Sequence, residues 1–308
     1  MTETKDSVKV RRGNRLLAGW AAVAFSIVIT CFWAFWGIIE NFHEGWYMAS
    51  LLSNIGLMFV QYLSPMLIFM SVTLISIFWP RFGGTLHVVL ALFAIWFFQA
   101  FSNAATFLII IPLLGLGALH WYGRSQPRTI AAALVIGLPL LTLGIAGAEP
   151  VTRVSQRLDD GNLQARLVSG NGVALIWAPD GPGWPREGSD WRAAQQNCQH
   201  LSEDGLILAA ESQNIWRLPT VDEAVRSMAR HGQNSGGVWN AENAQAVYAT
   251  KPDKESPLWN PHSQVIYWWT ATMVDAEHVY IIVYDGKVWP RTKEFGPAYL
   301  GFRCVKSP

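Results

Sequence analysis

Between Leu16 and Ala148 the charged side chains are few: Glu40, Glu44, Arg81, Arg124 and Arg128. The rest is apolar, in stretches long enough to cross a hydrocarbon core, which takes about 20 helical residues. In lipid every backbone N–H and C=O must find its partner inside the protein, and continuous apolar stretches of this kind do so as helices. After Glu149 the composition becomes that of an ordinary water-soluble domain. The overall hydrophobic content of 51% and charged content of 15% therefore average two unlike halves of a 308-residue chain. The fold expected is an α-helical membrane bundle followed by an α+β domain.

Five spans are expected. Residues 1–15, a basic N-terminus with Lys5, Lys9, Arg11, Arg12 and Arg15, precede Leu16 to Ile39. That first run is too long for a signal-peptide core and reads as an uncleaved span. The second extends from about Met48 to Trp79, more than one span needs, with Pro65 as a kink point. Pro80 to Gly84 reads as a short turn. Thr85 to Phe101 and Thr106 to Trp121 read as a hairpin around Ser102-Asn103, and Thr129 to Ala148 is the fifth run. With the N-terminus in the cytoplasm, the N-terminal cluster, Arg81, Arg124 and Arg128 all fall on the inner side, as the positive-inside rule asks. Glu40 and Glu44 then fall outside. An odd number of spans places residues 149–308 outside as well, which in a bacterial inner membrane means the periplasm.

Trp20, Trp46, Trp79 and Trp121 lie near run ends and read as interfacial anchors. Trp33, Trp36 and Trp96 lie deeper and read as packing residues. No ionisable residue stands at the centre of a run, where a proton or ion path would need one; His87 is near a span end and His120 at a loop boundary. Residues 16–148 thus read as an anchor or assembly surface in membrane lipid. A net charge of +1, with no basic patch to neutralise phosphates, argues against nucleic acid as a partner.

Residues 149–171 read as a linker or leading strands, with Gly161 and Gly170 as punctuation, and the outer domain as 172–308. Val173 to Trp177 has the character of a buried strand. Ser189-Asp190 caps a helix on which Trp191, Ala194, Cys198 and Leu201 recur at helical spacing. Ile215 to Glu223 reads as a short strand, a Pro turn and a helix start, with Thr220 and Glu223 forming a capping box. This second helix is expected to run to Arg230 and to end at Gly232. Residues 233–264 read as a long loop rich in Asn, Gly, Pro and Ser. Strands follow at Val265–Thr270 and Val279–Tyr284, then a turn at Asp285-Gly286, and last a strand from Tyr299 to Val305. Cys31 lies in an apolar run as a small hydrophobe. Cys198 and Cys304 leave room for one disulfide if their compartment is oxidising.

Several of these elements together carry a resemblance. Leu175-Ile176-Trp177, Trp191 with Ala194 and Cys198, Trp216-Arg217-Leu218-Pro219-Thr220 with Glu223, Tyr267 to Thr272, and Phe302-Arg303-Cys304-Val305 resemble the Lcl C-terminal domain family over residues 170–306. That family is similar in fold to C-type lectins and formylglycine-generating enzymes. The resemblance implies a lectin-like scaffold in which Cys198 bonds to Cys304. It marks Trp191, Trp216, Arg217, Leu218, Pro219, Thr220, Glu223 and Arg303 as its signature.

A lectin-type calcium site needs a run of carboxylates and amides. Trp239-Asn240 and Trp259-Asn260 are followed by Ala241 and Pro261, so six to eight oxygen ligands are not assembled. Formylglycine-generating chemistry needs a pair of reactive cysteines beyond the structural pair. His200, His231, His262 and His278 lack metal-ligand spacing. No metal, cofactor or catalytic residue is therefore expected. An aromatic set, Trp239, Tyr248, Trp259, Tyr267 and Trp268, offers a candidate binding surface for glycan or protein. The function expected is a non-enzymatic accessory or scaffold subunit of a membrane complex, or a homo-oligomer. A receptor for glycan or peptidoglycan fragments and a cofactor-dependent membrane enzyme are the alternatives.

Overall fold

The structure is a computed structural model that describes residues 5–44, 48, 50–99, 104–157, 162–255 and 257–308, with the side chains of 5–9 and 44 outside that description. The chain divides into two compact units, one of residues 1–43 with 52–151 and the other of residues 44–51 with 152–308. The expected Ser102-Asn103 turn, Trp46 and Gly161 lie outside the described residues.

The first unit is helical: α1 (Lys5–Glu44), α2 (Leu51–Leu57), α3 (Ser64–Phe78), α4 (Pro80–Phe98), α5 (Ile111–Tyr122) and α6 (Arg128–Ser155), with π-helical turns at Met58–Tyr62 and Thr106–Ile110. Among the described residues, α1, α4 and α6 are each long and apolar enough to cross a membrane. Leu51–Tyr62 and Ser64–Phe78 qualify as a pair, bent by 64°, and so make a fourth if they form one broken span. Thr106–Tyr122 is a shorter apolar helix. The bend falls where Ser64-Pro65 starts a new helix, because a proline has no N–H to continue the old one.

The Pro80–Gly84 segment is not a turn. Trp79 alone leaves helical geometry, and Pro80 opens α4 at the first helical position, where its missing N–H costs nothing. Gly84 has a packing role: a Cβ there would stand 2.9 Å from the Gly117 carbonyl oxygen, so α4 and α5 approach closely only without one. Polar side chains turn inward in pairs. Thr73 Oγ1 donates to Ser26 Oγ at 3.0 Å, and His87 Nδ1 donates to the Gly83 carbonyl at 2.9 Å. The His87 ring stacks on that of His120, centroids 5.5 Å apart, both buried. Their separation in sequence hides that meeting.

The second unit is built on two sheets. In one, β2 (Val173–Trp177) lies between β1 (Arg166–Gly170) and β11 (Val305–Lys306). In the other, β7 (Tyr267–Met273), β8 (His278–Val283) and β9 (Val288–Thr292) form an antiparallel meander. β10 (Leu300–Gly301) joins β7 in parallel. Side chains alternate along a strand, and here both faces are covered. Trp268 and Ile282 face a core with Leu175, Trp177 and the Val221, Ala224 and Val225 side of α8 (Val221–Ser227). Trp269, Val279 and Ile281 face another with Phe302 and the Trp191, Ala194 and Cys198 stripe of α7 (Trp191–His200). Double burial is why Ile266 to Trp269 is apolar without alternation.

Four expected elements differ. Helix α6 runs on to Ser155 through Pro150, so the segment after Glu149 begins as helix rather than linker, and β1 starts only at Arg166. Helix α8 ends at Ser227, not Arg230. Ala229–Arg230 pairs with Gln233–Asn234 as a minimal hairpin, β3 with β4. Gly232 is thus its turn residue rather than a helix cap; His231 and Gly232 both take positive φ, 51° and 70°, the geometry of a two-residue hairpin turn. Within the expected loop 233–264 there is also a hairpin of β5 (Val238–Asn240) and β6 (Gln245–Val247). The closing segment splits: Leu300–Gly301 serves one sheet and Val305–Lys306 the other, with Phe302-Arg303-Cys304 buried between.

Cys198 on α7 is bonded to Cys304, 106 positions along the chain. Closing so long a loop restricts the unfolded chain, an effect of up to ~4–5 kcal/mol in the chain-entropy model. The Cys198→Ala/Cys304→Ala double variant is expected to unfold at clearly lower guanidinium concentration by tryptophan emission. An unchanged midpoint would show that the cross-link adds no stability.

Candidate functional site

The Trp216–Glu223 stretch is a strut. Arg217 exchanges backbone hydrogen bonds with Val305 at 2.9 and 2.8 Å, and the Pro219 carbonyl accepts from the Ala271 N–H at 2.8 Å. The next residue starts α8: Thr220 Oγ1 accepts from the Glu223 N–H at 3.2 Å, and Glu223 Oε2 accepts from the Thr220 N–H at 2.8 Å. Arg217 grips the same carboxylate through two bonds of 2.7 and 2.6 Å. Burial would raise the Glu223 carboxyl, but Arg217 and the Thr220 N–H outweigh it and hold it below its ordinary value near 4.5. A partly exposed pair of this kind adds ~1 kcal/mol at most. Its effect is to hold β11, α8 and β7 in one register.

Arg303 is fully buried. Its Nε donates to the Ala178 carbonyl at 2.7 Å, one terminal nitrogen to the Pro257 carbonyl, and the other to the Gln164 carbonyl at 3.2 Å. The guanidinium lies 3.5 Å from the centre of the Trp184 ring. Burial first, and then the like charge of Arg166, push the group down from its ordinary value while Asp180 pulls it up. A guanidinium starts so far above neutrality that it stays charged. Its donors are spent on three separate loops, which makes it a clamp.

Three consecutive charged residues, Asp253-Lys254-Glu255, are buried. Glu255 accepts from the His231 and Gly232 N–H groups at 2.7 and 3.1 Å, so the hairpin turn cradles its carboxylate. Asp253 meets Arg157 at 3.5 Å and Arg153 at 3.7 Å. Burial would raise the Asp253 carboxyl; Arg157 foremost among its partners holds it below the usual range instead. The Lys254 ammonium sits between the rings of Trp259 and Tyr284, 4.7 and 4.9 Å from their centres. Each charge is answered, as buried charges must be.

The five aromatic residues expected to form a binding surface do not form one. Trp259 and Trp268 are buried in the core, 4% and 1% exposed, and the other three pack against that same core. Trp239 lies edge-on to Tyr280, Tyr248 Oη donates to the Gly286 carbonyl at 2.9 Å, and Tyr267 contacts Trp289 and Tyr299. With long loops and small sheets, the domain uses its rings to fill space.

Two features escaped the sequence reading. One is a cavity of about 560 Å3 lined by Arg186, Glu187, His262 and Gln264, with Gly188, Gly296 and Ala298. Arg186 is held to its edge by Asp180, which also accepts from Asn260 Nδ2 at 2.9 Å. A guanidinium, carboxylate, imidazole and amide around one hollow suit a polar ligand. Residues 186–188 and 262–264 are remote in sequence, so no pattern joins them. Among the described residues, no group of three or more His, Cys, Asp or Glu side chains could hold a metal ion.

The other feature is the loop after α7. Leu206, Ile207 and Leu208 are 57%, 65% and 46% exposed, with Ile215 exposed as well. The loop is nonetheless tightly bonded. Ser202 N–H donates to Ile207 O at 2.9 Å, Ala209 N–H to His200 O at 2.8 Å, and Leu206 N–H to Asp204 Oδ1 at 3.0 Å. Trp216 Nε1 donates to Ser202 O at 2.8 Å and anchors its base. Three aliphatic side chains in succession outside a predicted element were the available signal.

Two outcomes follow. Stability supplied by a carboxylate with a lowered folded-state value is full above its ordinary value and lost as pH falls through the folded one. Unfolding free energy is therefore expected to decline below about pH 4.5, and Glu223→Gln to flatten that acid limb in denaturant titrations run across pH. Arg303→Met strands three buried carbonyls and is expected to cost ~3 kcal/mol or more in the same assay, whereas Arg291→Met, at an exposed position, should cost little.

Comparison with protein-family models, with curated proteins and with solved structures finds no match to this chain.

Proposed function

We propose that this protein is a multi-pass bacterial inner-membrane protein that acts as an accessory or scaffold subunit of a membrane complex. Its α+β domain, lectin-like on the resemblance above, faces the periplasm and makes protein contacts. The observation that carries this reading is the Leu206-Ile207-Leu208 loop. Isolated exposed aliphatics are ordinary on a protein surface, but a contiguous run on a rigid support marks an interaction site. Rigidity matters because a preformed loop loses little entropy on docking. The placement outside the membrane is supported by the Arg and Lys distribution of the helical half. It is supported also by the Cys198–Cys304 bond, which persists in an oxidising compartment.

The cavity beside Arg186 favours a second reading, in which the domain binds a polar glycan fragment. The two are separable. With a photoreactive amino acid at Ile207, irradiation of native membranes is expected to capture a protein partner or a second copy of the chain, and Leu206→Asp to abolish capture. A chain that purifies from mild detergent as a lone monomer, with no adduct at Ile207, would remove the protein-contact reading. Retention of peptidoglycan fragments that Arg186→Ala abolishes would establish the glycan reading in its place.

A further inference from the structure

The helical unit carries a basic hollow of about 670 Å3 at the start of its first long apolar helix. Arg11, Arg12 and Arg15 come from α1, and Arg124 with Gln126 from the loop joining α5 to α6. Leu16, the first residue of the apolar run, completes it, so guanidinium groups and an aliphatic side chain share one lining. Among the described residues this lining contains no carboxylate.

The hollow is built rather than incidental. The loop is fixed to α1 by Arg124 N–H donating to Arg15 O at 2.8 Å and by Trp20 Nε1 donating to Gln126 O at 3.0 Å. Gly19 and Gly123 meet backbone to backbone, and a Cβ on Gly19 would collide with the Arg124 carbonyl group. Arg124 is oriented by donating to the Gly123 carbonyl at 2.9 Å, and Arg15 lies over the Tyr122 ring at 5.8 Å. Like charges are thus held together by the backbone. Burial first, and then the like charges of Arg15, Arg81 and Arg128, lower the Arg124 guanidinium from its ordinary value. Such a cluster is relieved by an anion. Guanidinium forks match phosphate oxygens in pairs.

We propose that this hollow binds a phosphate-bearing anion where the helix enters the membrane. Two sources share that chemistry: an anionic phospholipid headgroup, whose acyl chains would continue along the apolar face beginning at Leu16, and a free phosphate compound. Basic hollows between helices at a membrane surface are suited to the first.

The test uses the full chain released from membranes in neutral detergent and examined by native mass spectrometry. It is equilibrated separately with phosphatidylglycerol, phosphatidylcholine and inorganic pyrophosphate. Retention of phosphatidylglycerol over phosphatidylcholine supports the site and names the headgroup as its source; retention of pyrophosphate alone supports it and names a free phosphate compound. Arg12→Gln/Arg15→Gln is expected to weaken the responding arm by about tenfold or more. Arg12→Lys/Arg15→Lys keeps the charge without the paired geometry and guards against misfolding, since it should retain an intermediate affinity. Arg192→Gln/Arg291→Gln removes the same amount of exposed charge from the second unit, outside the lining, and should leave retention nearly unchanged. No retention in either arm, or equal losses in the Arg12/Arg15 and Arg192/Arg291 variants, would overturn the proposal.

Discussion

The second unit depends on how its last residues are buried. Arg303 enters the interior with no carboxylate in hydrogen-bond contact among the described residues, and it bonds instead to carbonyls of Gln164, Ala178 and Pro257 while lying on Trp184. Two of those carbonyls flank the open end of the β1–β2 hairpin and the third lies far along the chain at Pro257. A buried guanidinium is tolerated only when its donors are satisfied, so each loop must stand where the Arg303 nitrogens need it. The adjacent residue, Cys304, ties the same segment to α7, and Val305 ties it to β2 and Arg217. Three consecutive residues therefore fix a helix, a sheet and three loops by three kinds of bond.

That arrangement explains where the domain can vary and where it cannot. The strut from Arg217 to Glu223 and the hairpin turn at His231-Gly232 with Glu255 are each satisfied internally. Such closed networks specify a single arrangement and leave little for a ligand to engage. The aliphatic loop and the polar hollow, both open to solvent, are different in character. Both are borne on segments whose backbone is fixed, which is where binding function concentrates in folds with rigid cores.

The helical unit follows another solvent's rules. Apolar side chains gain nothing by leaving lipid for one another, so close packing and shared hydrogen bonds hold such helices together. Gly84 against Gly117, Thr73 with Ser26, and His87 on His120 are examples. The basic hollow gathers its charge at the head of the first apolar run.

Local chemistry was legible from the residues themselves. The Asp190 and Thr220 caps, the Thr220–Glu223 box and the α7 stripe follow from patterns spanning a few positions, because capping and helical periodicity act over one or two turns. Three of the five apolar runs, those of α1, α4 and α6, likewise announced single helices long enough for a membrane. The Cys198–Cys304 bond came by way of a resemblance, since its partners lie far apart. What the tertiary structure alone decided are the meetings between distant segments. Trp259 and Trp268 became core rather than surface, Gly232 a hairpin turn rather than a cap, and the closing segment two strands of two sheets. His87 found His120, Arg124 joined Arg15, and Arg186 came to His262. Helix caps and hydrophobic period are set by neighbours along the chain, whereas burial and site geometry depend on which remote surfaces share a space, and no short pattern records that.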